Sequence, residues 1–260
     1  MAGRVDVVEE GFLGWIVFDH PERRNAISEH MWLELSEAAR ELDRSDAIRV
    51  ILLRGAGERS FISGADISQF AEVEGHEASR SLKSGGGSAF RDLVGISKPV
   101  IAMIHGHCIG GGLAIALCAD MRYAAEDASF GIPAAKLGAG YDSNLIDDLA
   151  CVVGLSNAKE ILFSARRYGA REALDLGLVN RVFAKPELEP FVRELAEEIA
   201  GNAPLTVQSV KLIARELRKE PSARDTEALG AATHGCFSSE DFAEGVEAFL
   251  AKRPPDFKGR

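Results

Sequence analysis

Lys98-Pro99-Val100-Ile101-Ala102-Met103-Ile104-His105-Gly106-His107-Cys108-Ile109-Gly110-Gly111-Gly112 reads as a buried strand that runs into a glycine turn. Residues 99 to 104 form a short apolar run of the kind that makes an interior strand. From Gly110 to Cys118 small and apolar residues resume at once, in a composition suited to a helix. Three glycines at the junction let the chain turn tightly and bring a ligand close to bare backbone. Outward from this stretch, Gly14 to Phe18 and Val50 to Leu53 read as further strands and Glu29 to Asp43 as an amphipathic helix. Apolar runs alternating with helix-period segments predict stacked β-α units, an α/β fold. No motif repeats exactly at a 20- to 50-residue period. After about residue 190 the pattern is helical throughout, over Glu194 to Ala200, Leu205 to Arg218, Thr226 to His234 and Ser239 to Leu250. The organisation expected is an α/β core over residues 1–190 and a helical C-terminal region over 191–260.

A second glycine-bearing segment, Ser63-Gly64-Ala65-Asp66-Ile67, follows the strand-like Val50 region and enters a polar helix start at Asp66. A helix start leaves unpaired N–H groups that carry partial positive charge, so an amide near Gly111 favours an oxygen acquiring negative charge. The amide of Ala65 would be the second donor. Two amides converging on one acyl oxygen stabilise an enolate or a tetrahedral anion. Neither triple glycine is a dinucleotide fingerprint, since the spacing G-x-G-x-x-G is absent around Gly110 to Gly112, and Gly85-Gly86-Gly87 reads as a loop.

These residues resemble the enoyl-CoA hydratase/isomerase, or crotonase, superfamily. The resemblance runs through Pro21-Glu22-Arg23-Arg24-Asn25-Ala26, Phe61 to Ile67, Lys98 to Asp120, Ala128 to Gly138, Ala170 to Val182 and Ser239 to Lys258. It implies a spiral of ββα units whose C-terminal helices pack against neighbouring subunits in trimers or dimers of trimers, and an acyl-CoA thioester as substrate. Carried over residue by residue, it places the oxyanion amides at Ala65 and Gly111. It places backbone contacts to the adenine of coenzyme A at Ser63 and Ile67, and phosphate contacts at Arg23, Arg24, Lys252 and Lys258. Coenzyme A then enters as part of the substrate, with no tightly bound cofactor.

The chain departs from that pattern where chemistry is done. Family hydratases carry one glutamate two residues beyond the triple glycine and another after the proline of a Phe-Gly-x-Pro motif. Here those places read Gly112-Leu113-Ala114 and Phe130-Gly131-Ile132-Pro133-Ala134. A methyl group cannot take a proton, so water addition by a pair of carboxylates is not open to these residues. Asp142, in Gly138-Ala139-Gly140-Tyr141-Asp142-Ser143-Asn144, falls where dienoyl-CoA isomerases and aryl-CoA dehalogenases of the superfamily carry a catalytic aspartate. It is read either as an acid, base or nucleophile beside the thioester or as the cap of a helix beginning at Ser143. Tyr141 is read either as a donor to a substrate carboxylate or oxyanion or as packing. His105 and His107 flank the glycine turn, as pocket groups or as structural strand-end residues.

Composition bounds the rest. The 260 residues, 46% hydrophobic, suffice for a full core. A net charge of −10 argues against a nucleic-acid partner, while Lys252, Arg253, Lys258 and Arg260 make the C-terminus locally basic, as a patch for an anionic ligand or as a solvated tail. Cys108, Cys118, Cys151 and Cys236 are scattered, without metal-ligand spacing, and suggest reduced thiols in a cytoplasmic setting. No apolar run reaches the roughly 18 residues of a membrane span. Three readings follow: an acyl-CoA isomerase, lyase or thioester hydrolase using the oxyanion hole with Asp142; a non-catalytic acyl-CoA binding protein; and a slow hydratase.

Overall fold

Every second residue of the central strands faces the same way, and both sets are apolar, which is the signature of strands covered on both faces. The computed structural model describes residues 3–66 and 86–260. Its strands and helices in chain order are β1 (Arg4–Glu10), β2 (Leu13–Asp19), α1 (Glu29–Arg44), β3 (Val50–Gly55), β4 (Ser60–Ile62), α2 (Gly87–Gly95), β5 (Val100–Ile104), β6 (His107–Ile109) and α3 (Gly111–Cys118). There follow β7 (Met121–Ala125), β8 (Ser129–Gly131), α4 (Ala134–Leu137), α5 (Ser143–Ser164), β9 (Tyr168–Gly169), α6 (Ala170–Asp175) and β10 (Arg181–Phe183). The chain closes with α7 (Lys185–Ala200), α8 (Pro204–Leu217), α9 (Thr226–Phe237) and α10 (Glu240–Ala251).

A six-stranded sheet runs β1-β2-β3-β5-β7-β10, with β1 antiparallel and the other pairings parallel. A smaller four-stranded sheet runs β4-β6-β8-β9. Each of β3, β5 and β7 is followed by a short strand of the small sheet, so the chain winds through both sheets in ββα turns. In β5, Val100, Ala102 and Ile104 join the main core, with α1 and α3, while Ile101 and Met103 face the opposite side beneath Leu188, Val192 and Ala196 of α7. The α/β expectation holds, and strands β2, β3 and β5 and helices α1 and α3 lie where the sequence pattern puts them.

Two elements differ. Gly87 opens α2 instead of lying in a loop, because Ala89 and Leu93 bury a helical stripe against the core. Helix α7 begins at Lys185, well before Glu194, with Pro186 in the first turn where its missing N–H costs nothing. The boundary expected at residue 190 falls inside this helix, whose apolar face covers the large sheet. Gly85 and Ile67 lie outside the described residues, as does the helix expected beyond Asp66. No helix among the described residues is long and apolar enough to cross a membrane.

Candidate active site

Ala65 is held by one strand-like pairing. The N–H of Ile27 donates to the carbonyl of Gly64 (2.9 Å), and the N–H of Asp66 donates to the carbonyl of Ile27 (3.0 Å), a parallel bridge between Ile27 and Ala65. In such a bridge the central residue's own N–H points away from its partner. The Ala65 amide therefore points away from Ile27, with the start of α3 nearby. There the chain leaves β6 through Gly110, whose φ of 55° and ψ of −117° suit only glycine, and Gly111 becomes the first residue of the helix. The Gly110 N–H donates to Gly131 of β8 (2.8 Å), while the Gly111 N–H is one of the amides a helix start cannot pair internally. A Cβ placed on Gly111 would stand 3.8 Å from the Ala65 nitrogen, so the segments that carry the two expected donors lie side by side.

The approach depends on Gly112. A Cβ there would lie 2.3 Å from the carbonyl oxygen of Ile62, so helix and small sheet meet backbone to backbone. On the other side stands Trp32 of α1, whose indole is 3.7 Å from the same Gly111 position and packs on Phe90 of α2 with ring centroids 5.2 Å apart. The sequence reading missed both aromatics as site walls; Trp32 sits on the apolar stripe of α1, which marks it as core and nothing more.

Ala114 is buried one turn into α3, and Ala134 is half-buried as the first residue of α4, next to Pro133, whose ring lies 3.9 Å from the Gly110 Cβ position. Asp142 is exposed and caps α5: its Oδ1 accepts from the Asn144 N–H (2.9 Å), while Oδ2 has no partner among the described residues. Tyr141 is the reverse case. Its ring packs against the main core and its hydroxyl is buried with no hydrogen-bond partner among the described residues. Burial pushes the phenol well above the usual tyrosine range, so it stays a neutral donor. Leaving a buried hydroxyl unpaired costs about 1–3 kcal/mol, which the fold bears at this one side chain.

Arg23 and Arg24 lie beside the segment that carries Ser63 and Ala65. The Ser63 N–H donates to the Arg24 carbonyl and its Oγ to the Arg23 carbonyl, both at 3.2 Å, and the Arg23 guanidinium stands 3.8 Å from Asp66. Buried Asn25 fixes this loop, donating to the carbonyls of Ala56 and Ser60 and accepting from His20, a positioning role the sequence reading did not assign.

Lys258 does not join this group within the chain. Its N–H donates to buried Asp241, and the Phe257 carbonyl accepts from Arg49, which immediately precedes β3. Arg23, Arg24 and Ser63 are beyond the other end of that strand, about 20 Å away at the usual rise per residue. Lys252 is exposed at the end of α10. A cleft of about 370 Å³ at the Lys258 end is lined by Arg49 and Lys98. Those cations are engaged: Lys98 donates to Leu42 and Ser45, and Arg49 to Ala200 and Phe257.

The histidines are structural neighbours. His107 pairs through Nδ1 with the Ser129 hydroxyl (2.9 Å), and buried His105, its ring pushed toward neutrality by desolvation, follows β5 in the field of Glu58, Lys185 and Asp127.

Comparison with known proteins accords with this geometry. A family model described as enoyl-CoA hydratase/isomerase matches residues 9–260. The chain is 35% identical over 257 residues to a short-chain-enoyl-CoA hydratase of Clostridium acetobutylicum, covering 97% of each. It is 34% identical over 264 residues to a carnitinyl-CoA dehydratase of Escherichia coli, covering 100% of each. The solved structure of an enoyl-CoA hydratase/carnithine racemase from Magnetospirillum magneticum matches with a TM-score of 0.94 at 33% identity, over 98% of this chain and 96% of that one. By sequence along nearly its whole length and by fold, this chain belongs to the enoyl-CoA hydratase/isomerase family, the crotonase superfamily.

Proposed function

We propose that this chain transforms acyl-CoA thioesters, holding the thioester oxygen between the amides of Ala65 and Gly111. The observation that carries the reading is the approach of those two backbone segments, 3.8 Å from the Gly111 Cβ position to the Ala65 nitrogen, with neither amide spent on another backbone group among the described residues. Negative charge developing on that oxygen is stabilised by both donors, which favours an enolate or a tetrahedral intermediate. Trp32, backed by Phe90, forms an apolar wall beside Gly111.

Isomerisation, thioester hydrolysis or carbon–carbon cleavage fits these residues better than hydration. Two relatives are named as a hydratase and a dehydratase, but α3 and α4 of this chain offer no carboxylate for water addition, since their residues at the expected places are Ala114 and Ala134. The proton-transfer role goes to Asp142, whose Oδ1 caps α5 and whose Oδ2 is left for chemistry. Arg23, Arg24, Ser63 and Ile67 are the proposed coenzyme A contacts of one copy. Lys258 serves only from a second copy, because the fold holds it at the far end of β3, and Lys252 is a further proposed phosphate contact. A trimer or hexamer accords with Val210, Phe237, Phe249 and Leu250, large apolar side chains exposed along α8, α9 and α10.

Incubation with a pool of enoyl-, dienoyl-, β-keto-, malonyl-type and aromatic CoA thioesters, read by mass spectrometry, tests the proposal: a mass change or free coenzyme A names the reaction. Binding without any product would instead support a non-catalytic acyl-CoA binding protein. Asp142→Asn then isolates the base. Asparagine caps a helix as well as aspartate does, so thermal stability is expected to hold while turnover falls by about 10²- to 10⁴-fold. Unchanged turnover would remove Asp142 from the chemistry and leave it a cap.

A further inference from the structure

Left-handed backbone is costly for a residue that carries a Cβ, and where such a residue persists its surroundings hold it there. Among the described residues four non-glycine positions have positive φ, and two of them are consecutive, Arg24 (φ 54°) and Asn25 (φ 56°). Asn25 supplies the hold. It is 1% exposed, its Oδ1 accepts from the His20 N–H (3.0 Å), and its Nδ2 donates to the carbonyls of Ser60 (2.8 Å) and Ala56 (3.1 Å). Gly55, the last residue of β3, clears the room: a Cβ there would lie 2.5 Å from Nδ2 and 2.2 Å from the Ser60 carbonyl oxygen. Ser60 opens β4, the strand that leads to Ala65, so one carboxamide ties the left-handed turn to the base of that strand.

The turn delivers the chain to Ile27 two residues later. The Ile27 N–H donates to the Gly64 carbonyl (2.9 Å), and that carbonyl shares a peptide unit with the Ala65 N–H. A peptide unit is planar and trans, so its C=O and N–H point in opposite directions. Ile27 therefore aims the Ala65 N–H by gripping the other end of the same plane. It keeps its place because Asn25 holds the turn behind it.

We infer that Asn25 is a positioning residue for the Ala65 donor: its carboxamide keeps Arg24 and Asn25 left-handed, and the turn so fixed sets the Ile27 bridge that aims the Ala65 N–H. The inference rests on the acyl-CoA reading above and deepens it, by naming the side chain that keeps a main-chain donor on its target. An amide of this kind contributes only when its N–H reaches the developing oxyanion, at about 2.7–3.1 Å. Asparagine suits the post because the Ala56 and Ser60 carbonyls need N–H donors and the His20 N–H needs an acceptor, and one carboxamide offers both. Aspartate has the same shape but no N–H to give. Glycine takes the left-handed backbone freely but makes none of the three bonds.

The test is the infrared stretching band of butanoyl-CoA labelled with carbon-13 at the thioester carbonyl, recorded free and bound. Hydrogen bonds to a carbonyl oxygen weaken the C=O bond and lower this frequency, so the shift on binding counts the donors that reach it. The proteins compared are the wild type, Asn25→Asp, Asn25→Gly and, as a control, Asp225→Ala, whose lost bond caps α9 instead (Ala228 N–H, 2.9 Å). All spectra are taken at a temperature where thermal unfolding shows each protein to be folded. The wild type and Asp225→Ala are expected to show the same downward shift, and both Asn25 variants to lose about half of it or more, one of two donors being off its target. A full shift in the Asn25 variants would overturn the inference while leaving the acyl-CoA reading standing. So would an equal loss in Asp225→Ala, which would trace the change to lowered stability at large, and so would failure of both Asn25 variants to fold, which would give Asn25 to stability alone. A wild-type protein that binds the thioester without any shift would bring down the two-amide reading and this inference together, as would one that does not bind it.

Discussion

Replacing Gly111 with proline is expected to lower turnover by about a hundred- to a thousandfold while the protein stays folded. Proline removes the N–H proposed to face the thioester oxygen and puts a ring methylene in its place. Few positions tolerate such a change, but this one is the first residue of α3, where helices accept proline because that N–H has no internal partner. The Cβ it adds also fits: at Gly111 it meets Trp32 and the Ala65 nitrogen at 3.7–3.8 Å, ordinary contact distances. Gly110 before it lacks a Cβ and holds φ 55°, ψ −117°, near the mirror image of the backbone favoured ahead of proline, so the usual clash is relieved. The measurement is kcat beside thermal unfolding, with Gly111→Ala as the control that keeps the N–H. Wild-type turnover by the proline variant would mean that the Gly111 amide is not a donor.

Gly112→Ala is expected to do damage of a different kind. In an ordinary helix, exchanging glycine for alanine stabilises by roughly 1 kcal/mol. Here the added methyl would sit 2.3 Å from the Ile62 carbonyl oxygen and 2.7 Å from its Cβ, so α3 must be pushed off β4. Overpacking against backbone, which cannot rotate out of the way, costs about 3 kcal/mol at the upper end of its usual range. The sign is thus inverted, with a fall of several degrees in Tm expected. The same displacement carries Gly111 away from Ala65, so the residual folded protein should also lose affinity for acyl-CoA. A variant as stable as the parent would show that the two segments do not meet as closely as described, and with it would go the geometric basis of the proposed site.

The parts of this arrangement that were legible in the sequence are those set by local pattern. Unbroken apolar runs in β2, β3 and β5 and the apolar stripe of α1 show in the primary structure because each is long enough to register. The glycines around Gly111 announce a turn into a helix for the same reason. Strands β6 and β8, at three residues each, carry no period, and they exist because Ser60, His107 and Ser129 align across the small sheet. Helix α2 hid behind Gly85-Gly86-Gly87, where composition argues for a loop and burial of Ala89 and Leu93 overrules it. Among the proposed site residues, Ala65 and Gly111 could be named from the sequence because backbone donors follow from chain geometry. The contrast between Tyr141 and Asp142 was not, since whether a hydroxyl is buried and unpaired, or a carboxylate exposed and capping, depends on helices far apart in the chain. Lys258 was placed with the phosphate contacts by chain motif alone, whereas Asp241 and Arg49 pin its segment at the other end of β3.

The two facing amides belong to the main chain, and that divides what mutation can reach. Outside proline and the glycines that shape the turn, no replacement of a side chain deletes either N–H, whereas every group that would move a proton near them is a side chain, open to exchange one codon at a time. Exchanges of side chains around such a frame leave both of its N–H groups in the chain. A proposed cradle of this kind is thus harder to lose by substitution than any side chain beside it.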